Sequence, residues 1–449
     1  MMKPKITGLA ILITGFFIAT TAFAAQFLFT PRAFVNETYT DNLFLTQDDT
    51  EDDFITTVSA GFAMQLLGRT SGLDFSFDPN YKFYQDFSEF DEWGLLSNLR
   101  AWLRPSKASN LELRNNFIRT TDPVPRLDQV VVEGGRVGEE GDTTIRRDRE
   151  PYYRNIGRLN YSYQFGREDQ VYAGFRYGLL RNDSNFVEDN DFYRLNGGLD
   201  YWFSQQFGGQ FFGEYTRGEF TQQSGFVGEG SSDFDNWLGS LRFLGRLSRH
   251  FSLFVQYNQA YRDFTSGDAN NYVVYAPSAG FAYDISEDTF LRVGLGYFYQ
   301  DIDNEKNQEN PFLNGEISKI WNYQRGFINL AGLAGLTQND FGAQNLGFQQ
   351  FATIRSSARY DFTRRIVGDT SAWFRWAFTP GGTEDIGDED DRRDGRAQFN
   401  AGIGFLATRW MNIRLGYTFN YFNSNADEDY FENRALLTIT LQPDRPWRF

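Results

Sequence analysis

The chain has no cysteine and one histidine, and beyond its first two dozen residues no apolar run nears the roughly 20 residues of a spanning helix. Without cysteine there is no disulfide framework, no thiolate metal site and no lipidated N-terminal cysteine. His250 stands in the turn-like stretch "LSRH", badly placed to serve as base to a nucleophile. There is no H-E-x-x-H and no P-loop, and "DEDD" and "QDDTEDD" lack the glycine and terminal glutamate of an EF-hand loop. The acidic pairs lie in solvated stretches that would not raise a carboxyl pKa. No enzyme activity, cofactor or metal is therefore expected, and with a net charge of −16 no nucleic-acid partner.

Aromatic residues are abundant: 47 Phe, 24 Tyr and 9 Trp. Many stand in short segments that alternate apolar and polar residues, such as "VYAGFRYGLL", "FSLFVQYNQAY" and "MNIRLGYTFNYF". That is the period of a strand with two unlike faces. The mean hydropathy is only −0.50, which a transmembrane barrel tolerates because alternate residues alone face lipid. Twenty candidate strands run from 31–40 and 53–67 to 410–423 and 430–442. Reading 31–40 as an arm and merging one weak pair leaves eighteen. The expected fold is all-β: a transmembrane antiparallel up-and-down β-barrel of 18–20 strands.

The opening "MMKPKITGLAILITGFFIATTAFAAQ" has a basic start, an apolar core and Ala22-Phe23-Ala24 before Ala25. It reads as a cleavable export signal over residues 1–24, with a single barrel domain over 25–449. Very short connections, such as "GRED" and "FTRR", alternate with long ones at 41–52, 120–150, 221–231, 301–311 and 380–391. The long class is acidic. The short class carries Arg104, Lys107, Arg167, Arg249, His250, Arg364, Arg365 and Arg409. Short periplasmic turns and long extracellular loops in a Gram-negative outer membrane follow. Pro443 and Pro446 should end the last strand near Leu441 or Gln442, which makes "ALLTITL" a better assembly signal than Phe449.

Alternation directs a series of arginines inward: Arg100, Arg114, Arg154, Arg158, Arg176, Arg194, Arg242, Arg292, Arg355, Arg359, Arg375, Arg396 and Arg414. Inward acids are fewer, with Asp74, Glu112, Asp200 and Glu214 as candidates. The arginines either pair across strands as wall struts or line a path for anions. The connection 120–150 mixes "VVVEGG" with "IRRDR" and is expected to fold inward and narrow the lumen, with Arg146, Arg147 and Arg149 on the transit path.

Residues 30–42 read "TPRAFVNETYTDN". This start resembles the β-barrel porin 2 family, especially the outer-membrane barrels associated with exosortase (PEP-CTERM) systems and exopolysaccharide loci. Thr30-Pro31, Glu37-x-Tyr39 and Thr40-Asp41-Asn42 carry the likeness. The resemblance implies an outer-membrane barrel in a surface-polysaccharide setting and no catalytic residue. Three functions stay open: a channel serving exopolysaccharide secretion, with an Arg-rich lumen favouring anionic cargo; a passive porin for small solutes; and a structural or attachment barrel with a blocked lumen. The expected partners are outer-membrane lipid and lipopolysaccharide, the barrel-assembly machinery, an anionic polysaccharide and export-machinery components.

Overall fold

The computed structural model describes residues 24–123, 130–133, 136–139, 149–184, 187–221, 232–266, 269–286, 288–339, 347–380 and 391–449. The expected export signal, up to residue 23, lies outside the described residues. The strands of the first half are β1 (Ala24–Thr40), β2 (Asp53–Gly68), β3 (Ser71–Tyr84), β4 (Glu92–Ser106), β5 (Ser109–Thr120), β6 (Val130–Glu133), β7 (Arg136–Glu139), β8 (Tyr152–Gln164), β9 (Gln170–Asn182), β10 (Asp189–Trp202) and β11 (Phe207–Thr221). Those of the second are β12 (Phe234–Arg246), β13 (Phe251–Phe264), β14 (Tyr272–Ser286), β15 (Thr289–Ile302), β16 (Gln308–Tyr323), β17 (Gly326–Asn339), β18 (Gly347–Asp361), β19 (Ile366–Thr379), β20 (Arg392–Thr408), β21 (Met411–Ser424), β22 (Tyr430–Leu441) and β23 (Trp447–Arg448).

Twenty of these form one antiparallel up-and-down barrel, in which each strand pairs with its chain neighbour and β22 returns to β1. The β6–β7 hairpin and the two-residue β23 are additions to it. The only helical element among the described residues is a single 3₁₀ turn, Ser88–Phe90. Closure removes both sheet edges, so each barrel strand is paired on two sides over most of its length.

The outer face follows from the alternation. Leu195, Val255, Leu295, Ile354 and Leu415 point outward and are exposed, Leu295 by 70%. So large an apolar surface is a liability in water and suits hydrocarbon. Aromatic rows bound it. Toward the long loops, Tyr177 stacks near Tyr193 (5.1 Å between centroids) and Trp237 lies between Tyr215 (5.4 Å) and Tyr261 (5.7 Å). Toward the short turns, Phe165 pairs with Tyr201 and Tyr360 with Phe362. On β10 the two rows are marked by Tyr193 and Tyr201. Eight residues of strand span roughly 27 Å, or about 20 Å after tilt, close to the height of a barrel's lipid-facing band.

Three expectations are corrected. β1 begins at Ala24, not at Pro31. Pro31 is tolerated inside it because β22 pairs with β1 only from Ala33 upward, and β23 rejoins at Leu28 and Phe29. Opposite Pro31 the closing strand is interrupted by Pro443 and Pro446, so the missing N–H has no partner to disappoint. The last strand does end at Leu441, yet Phe449 still exchanges backbone hydrogen bonds with Phe27 at 3.0 and 3.4 Å. The connection expected at 301–311 spans only 303–307. Phenylalanine is also not confined to the outer face. Phe212, Phe234, Phe254, Phe298 and Phe312 point inward and are buried. The rings of Phe234 and Phe312 lie over Gly218 and Gly296 on the next strand, where any β-carbon would collide with them.

The seam between β1 and β22 is clamped by Thr40, Asp41 and Asn42. Thr40 donates to Glu432 (2.8 Å), Asp41 accepts from the Asn433 amide and side chain (2.7 and 2.6 Å), and Asn42 donates to the Phe431 carbonyl (2.9 Å). Asp41→Ala strands two donors of Asn433, at a cost of about 2 kcal/mol. The expected outcome is a lower unfolding temperature in heat-modifiability gels with the barrel still formed. An unchanged transition would show that the clamp does not limit closure.

Candidate functional site

Closure sets register, and register brings arginines together. Arg100 pairs across from Arg114, Arg114 from Arg158, Arg158 from Arg176, and Arg176 from Arg194. Five consecutive strands thus place an arginine at the same level of the ladder, on the inner face. At about 4.8 Å between strands the row covers roughly 19 Å of wall. It continues through Thr216 and Asn236 to Arg262, near the long-loop end of β13. Because barrel strands tilt, a row perpendicular to them climbs along the barrel axis.

Like charges directly opposite repel, so the row needs counter-groups. Glu112 is one, bonding Arg114 and lying 3.3 Å from Arg100. Glu214 is another, 3.3 Å from Arg194. Aromatic faces supply a third kind. The Phe192 ring takes Arg176 and Arg194 at 5.1 and 5.0 Å, and Phe234 takes Arg262 at 4.0 Å. A cation over a ring is worth about 0.5–2 kcal/mol, more when water is excluded.

The remaining expected residues lie on the same inner face. Arg154 is buried opposite Ile118 and Leu180. Arg242 donates from Nε to Gln256 (2.8 Å), and its ring contact is Phe254. Arg292 meets Glu316 at 3.4 Å and Arg359 meets Asp361 at 3.4 Å. Arg414 holds Asp369 through two hydrogen bonds. Arg375 donates to Gln349 (3.3 Å), and Arg396 lies over Phe422 at 4.9 Å. Arg355 stands opposite Ala331 and Trp373. Asp74 and Asp200 take Gln65 and Gln170 as donors. The sequence reading passed over Arg32, Arg262 and Arg434. All three obey the same parity, but they sit near strand ends or beside proline, where alternation is hardest to phase.

The inner space divides into two halves. At the short-turn end, Arg32, Arg100, Arg114 and Arg158 line a cavity of about 840 Å³, and the Arg114 side chain is 54% exposed to it. Beside it, Arg359, Arg364, Arg365, Arg409 and Arg414 line another of about 600 Å³. Gln442 borders both, so the interrupted closing segment stands between them. At the long-loop end the inner face is packed: Phe212, Leu238, Tyr272, Phe298, Phe312 and Phe348 belong to one buried cluster.

The connection 120–150 leaves the wall at this same end. It leaves between β5 and β8, and its strand β7 lies against β17, on the diametrically opposite wall. The hairpin therefore crosses the barrel. Arg146 and Arg147 lie outside the described residues. Arg149 does not fit a place on a transit path. It is buried, adopts a left-handed backbone (φ 56°) and donates from Nε to the Leu43 carbonyl at 2.8 Å. Burial lowers its basicity; Tyr84 opposes that, Arg434 adds to it, and Glu432 and Asp122 oppose it. At the other end of the connection, desolvation alone would raise the Asp122 carboxyl, but Lys82, 2.7 Å away, and Arg434 carry it well below the usual carboxylate range. Both ends of the crossing hairpin are thus tied down. Deleting residues 126–147 should raise single-channel conductance severalfold in a planar bilayer. Unchanged conductance would place the hairpin off the current path.

No family model and no curated protein matches the chain. Solved structures do. OprD of Pseudomonas aeruginosa is 10% identical with a TM-score of 0.37, covering 93% of this chain and 97% of that one. The outer membrane protein OpdK of Pseudomonas aeruginosa is 12% identical (TM-score 0.40; 94% and 100% covered). The siderophore receptor PirA of Pseudomonas aeruginosa is 9% identical (TM-score 0.48; 92% and 80% covered). At these identities the likeness concerns the fold alone.

Proposed function

We propose that the chain is an outer-membrane channel for anionic solutes. The observation that carries this reading is the row of five arginines in register, half-exposed at its lower end to a cavity of about 840 Å³. Planar guanidinium groups suit carboxylates, sulfates and phosphates, and a row offers successive weak sites between which an anion exchanges. The apolar outer band and its aromatic rows support placement in a membrane. The short turns then face the periplasm and the long acidic loops the outside. A surface polysaccharide bearing acidic groups is the cargo class that the residues 30–42 resemblance favours.

The packed upper lumen favours a second reading, an attachment barrel whose lumen stays closed. Reversal potential across a salt gradient separates the two. The channel reading predicts preference for chloride over potassium of roughly fivefold or more, inverted to cation preference by Arg114→Glu with Arg158→Glu. An absence of conductance in the wild-type protein and in the 126–147 deletion alike would favour the closed barrel. Orientation is tested separately: cysteine at Asp49 should react with an impermeant thiol reagent on whole cells, and cysteine at Ser248 should not. The reverse pattern would invert the topology.

A further inference from the structure

The wall has a seam. β16 and β17 pair from Tyr323 and Gly326 up to Gly315 and Ala334, and there the pairing stops. β16 runs on through residues 308–314, still held by β15, and β17 runs on to Asn339, still held by β18. Seven residues of β16 edge, roughly 20 Å, thus have no partner strand on that side among the described residues. Pro311 lies within this edge. Its pairing with β15 through Tyr297 continues unbroken although proline has no N–H. Its nitrogen therefore points toward the missing strand, the one direction in which proline costs no ladder bond.

The upper part of β17–β18 has left the wall. On a wall strand one face is exposed, as on β16, where Leu313 is 47% exposed and Phe312 buried. At the parting Leu333 and Ala334 are both buried, and above it so are Thr337 and Gln338, and Phe348 and Gln349. Phe348 packs edge-on against Phe298 of β15 (4.9 Å, 66°), and Leu336 packs on the same inner cluster. These described residues of the hairpin have turned into the barrel, where Leu336 and Phe348 fill a slot behind the unpaired edge. Leu238, Val274, Ala276 and Phe312 line this slot. Its free volume is about 30 Å³, room for little more than a water.

The seam lies where a lipid could reach it. Opposite Pro311 and Glu309 on β15 stand Tyr297 and Tyr299, and Tyr299 stacks with Tyr275 in the upper aromatic row. The slot is mostly apolar, with Asn258, Asn314 and Gln338 as its polar wall residues, and an axial path for small anions does not require such an apolar lining. Beside it stands a cation: Arg262 lies 5.8 Å from the ring of Tyr272, itself part of the cluster that forms the slot. We infer that the β16–β17 seam is a lateral portal. It admits from the outer leaflet one acyl chain with an anionic head group, the chain displacing Leu336 and Phe348 and the head group meeting Arg262. This goes beyond the axial channel and does not depend on it.

The probe is hexadecanoic acid carrying a terminal diazirine, photolysed with the protein in lipid nanodiscs and mapped by mass spectrometry. Label is expected on Val274, Ala276 and Phe312 as well as on the outward Leu295 and Leu313. The chain lacks cysteine, so Phe298→Cys with Phe348→Cys can be joined by a reducible bis-thiosulfonate linker that holds position 348 against β15. Joining should cut slot labelling at least tenfold, spare the outer residues, and be undone by reduction. Ala276→Trp, which fills the slot from β14, should have the same effect without a linker. Heat-modifiable mobility verifies folding in each case. A butanoic acid probe should leave the slot unlabelled. Label confined to the outer wall, slot label indifferent to both changes, or equal slot label from the short probe would overturn the portal. Anion preference would stand or fall separately.

Discussion

The closing seam between β1 and β22 is the constraint on which the rest depends. Side chains alternate along a strand, so a slip of one residue at closure would turn the inward side chains of the slipped strand, Arg32 on β1 or Arg434 on β22, to the outer face. Asp41, Asn42 and Thr40 hold the register against such a slip with side-chain bonds to the last strand, at a point where backbone pairing alone would allow it. The Thr-Asp-Asn motif thereby gains a physical role: it staples the first strand to the last. Below it, Pro31 and the pair Pro443 and Pro446 relax the seam, and Trp447 against Phe29 restores it.

Register then decides the electrostatics. Neighbouring arginines are tolerated because each is given something to face. Glu112 serves two of them, and the Phe192 ring serves two more. Struts and path are therefore not exclusive. Arg154, Arg242, Arg375 and Arg396 are buried in the wall, whereas Arg100 and Arg114 keep their side chains about half exposed to a cavity. The lower half of the lumen is lined by exposed arginines around cavities, and the upper half is filled by inward phenylalanines. There β7 lies against β17.

Much of this was legible in the residues. The alternation of Leu159, Tyr161, Tyr163 and Phe165 against Arg158 and Asn160 is enough to phase β8, and the same reasoning phases the other strands. It reads the barrel, a strand number of 18–20 and the faces of the arginines, and the structure settles on twenty. Other features could not be read that way. Inward phenylalanines such as Phe212 and Phe298 have the residue type of the lipid face, and only three-dimensional packing shows that they fill the lumen. The row of arginines depends on cross-strand register, which no single segment contains. Phe348 obeys outward parity along its own strand, yet points inside because the strand itself bends. Arg149 reads as a charge on a loop, and its tether to Leu43 is a contact across 106 positions of chain.

The central claim is that the arginine row is a lumenal anion track. Bromide soaked into crystals of the protein tests it most directly, because anomalous scattering locates each bound ion. The account predicts bromide sites along the inner wall beside Arg100, Arg114 and Arg158, with none along the apolar outer band. Bromide confined to the outer loops, with none along the row, would contradict it.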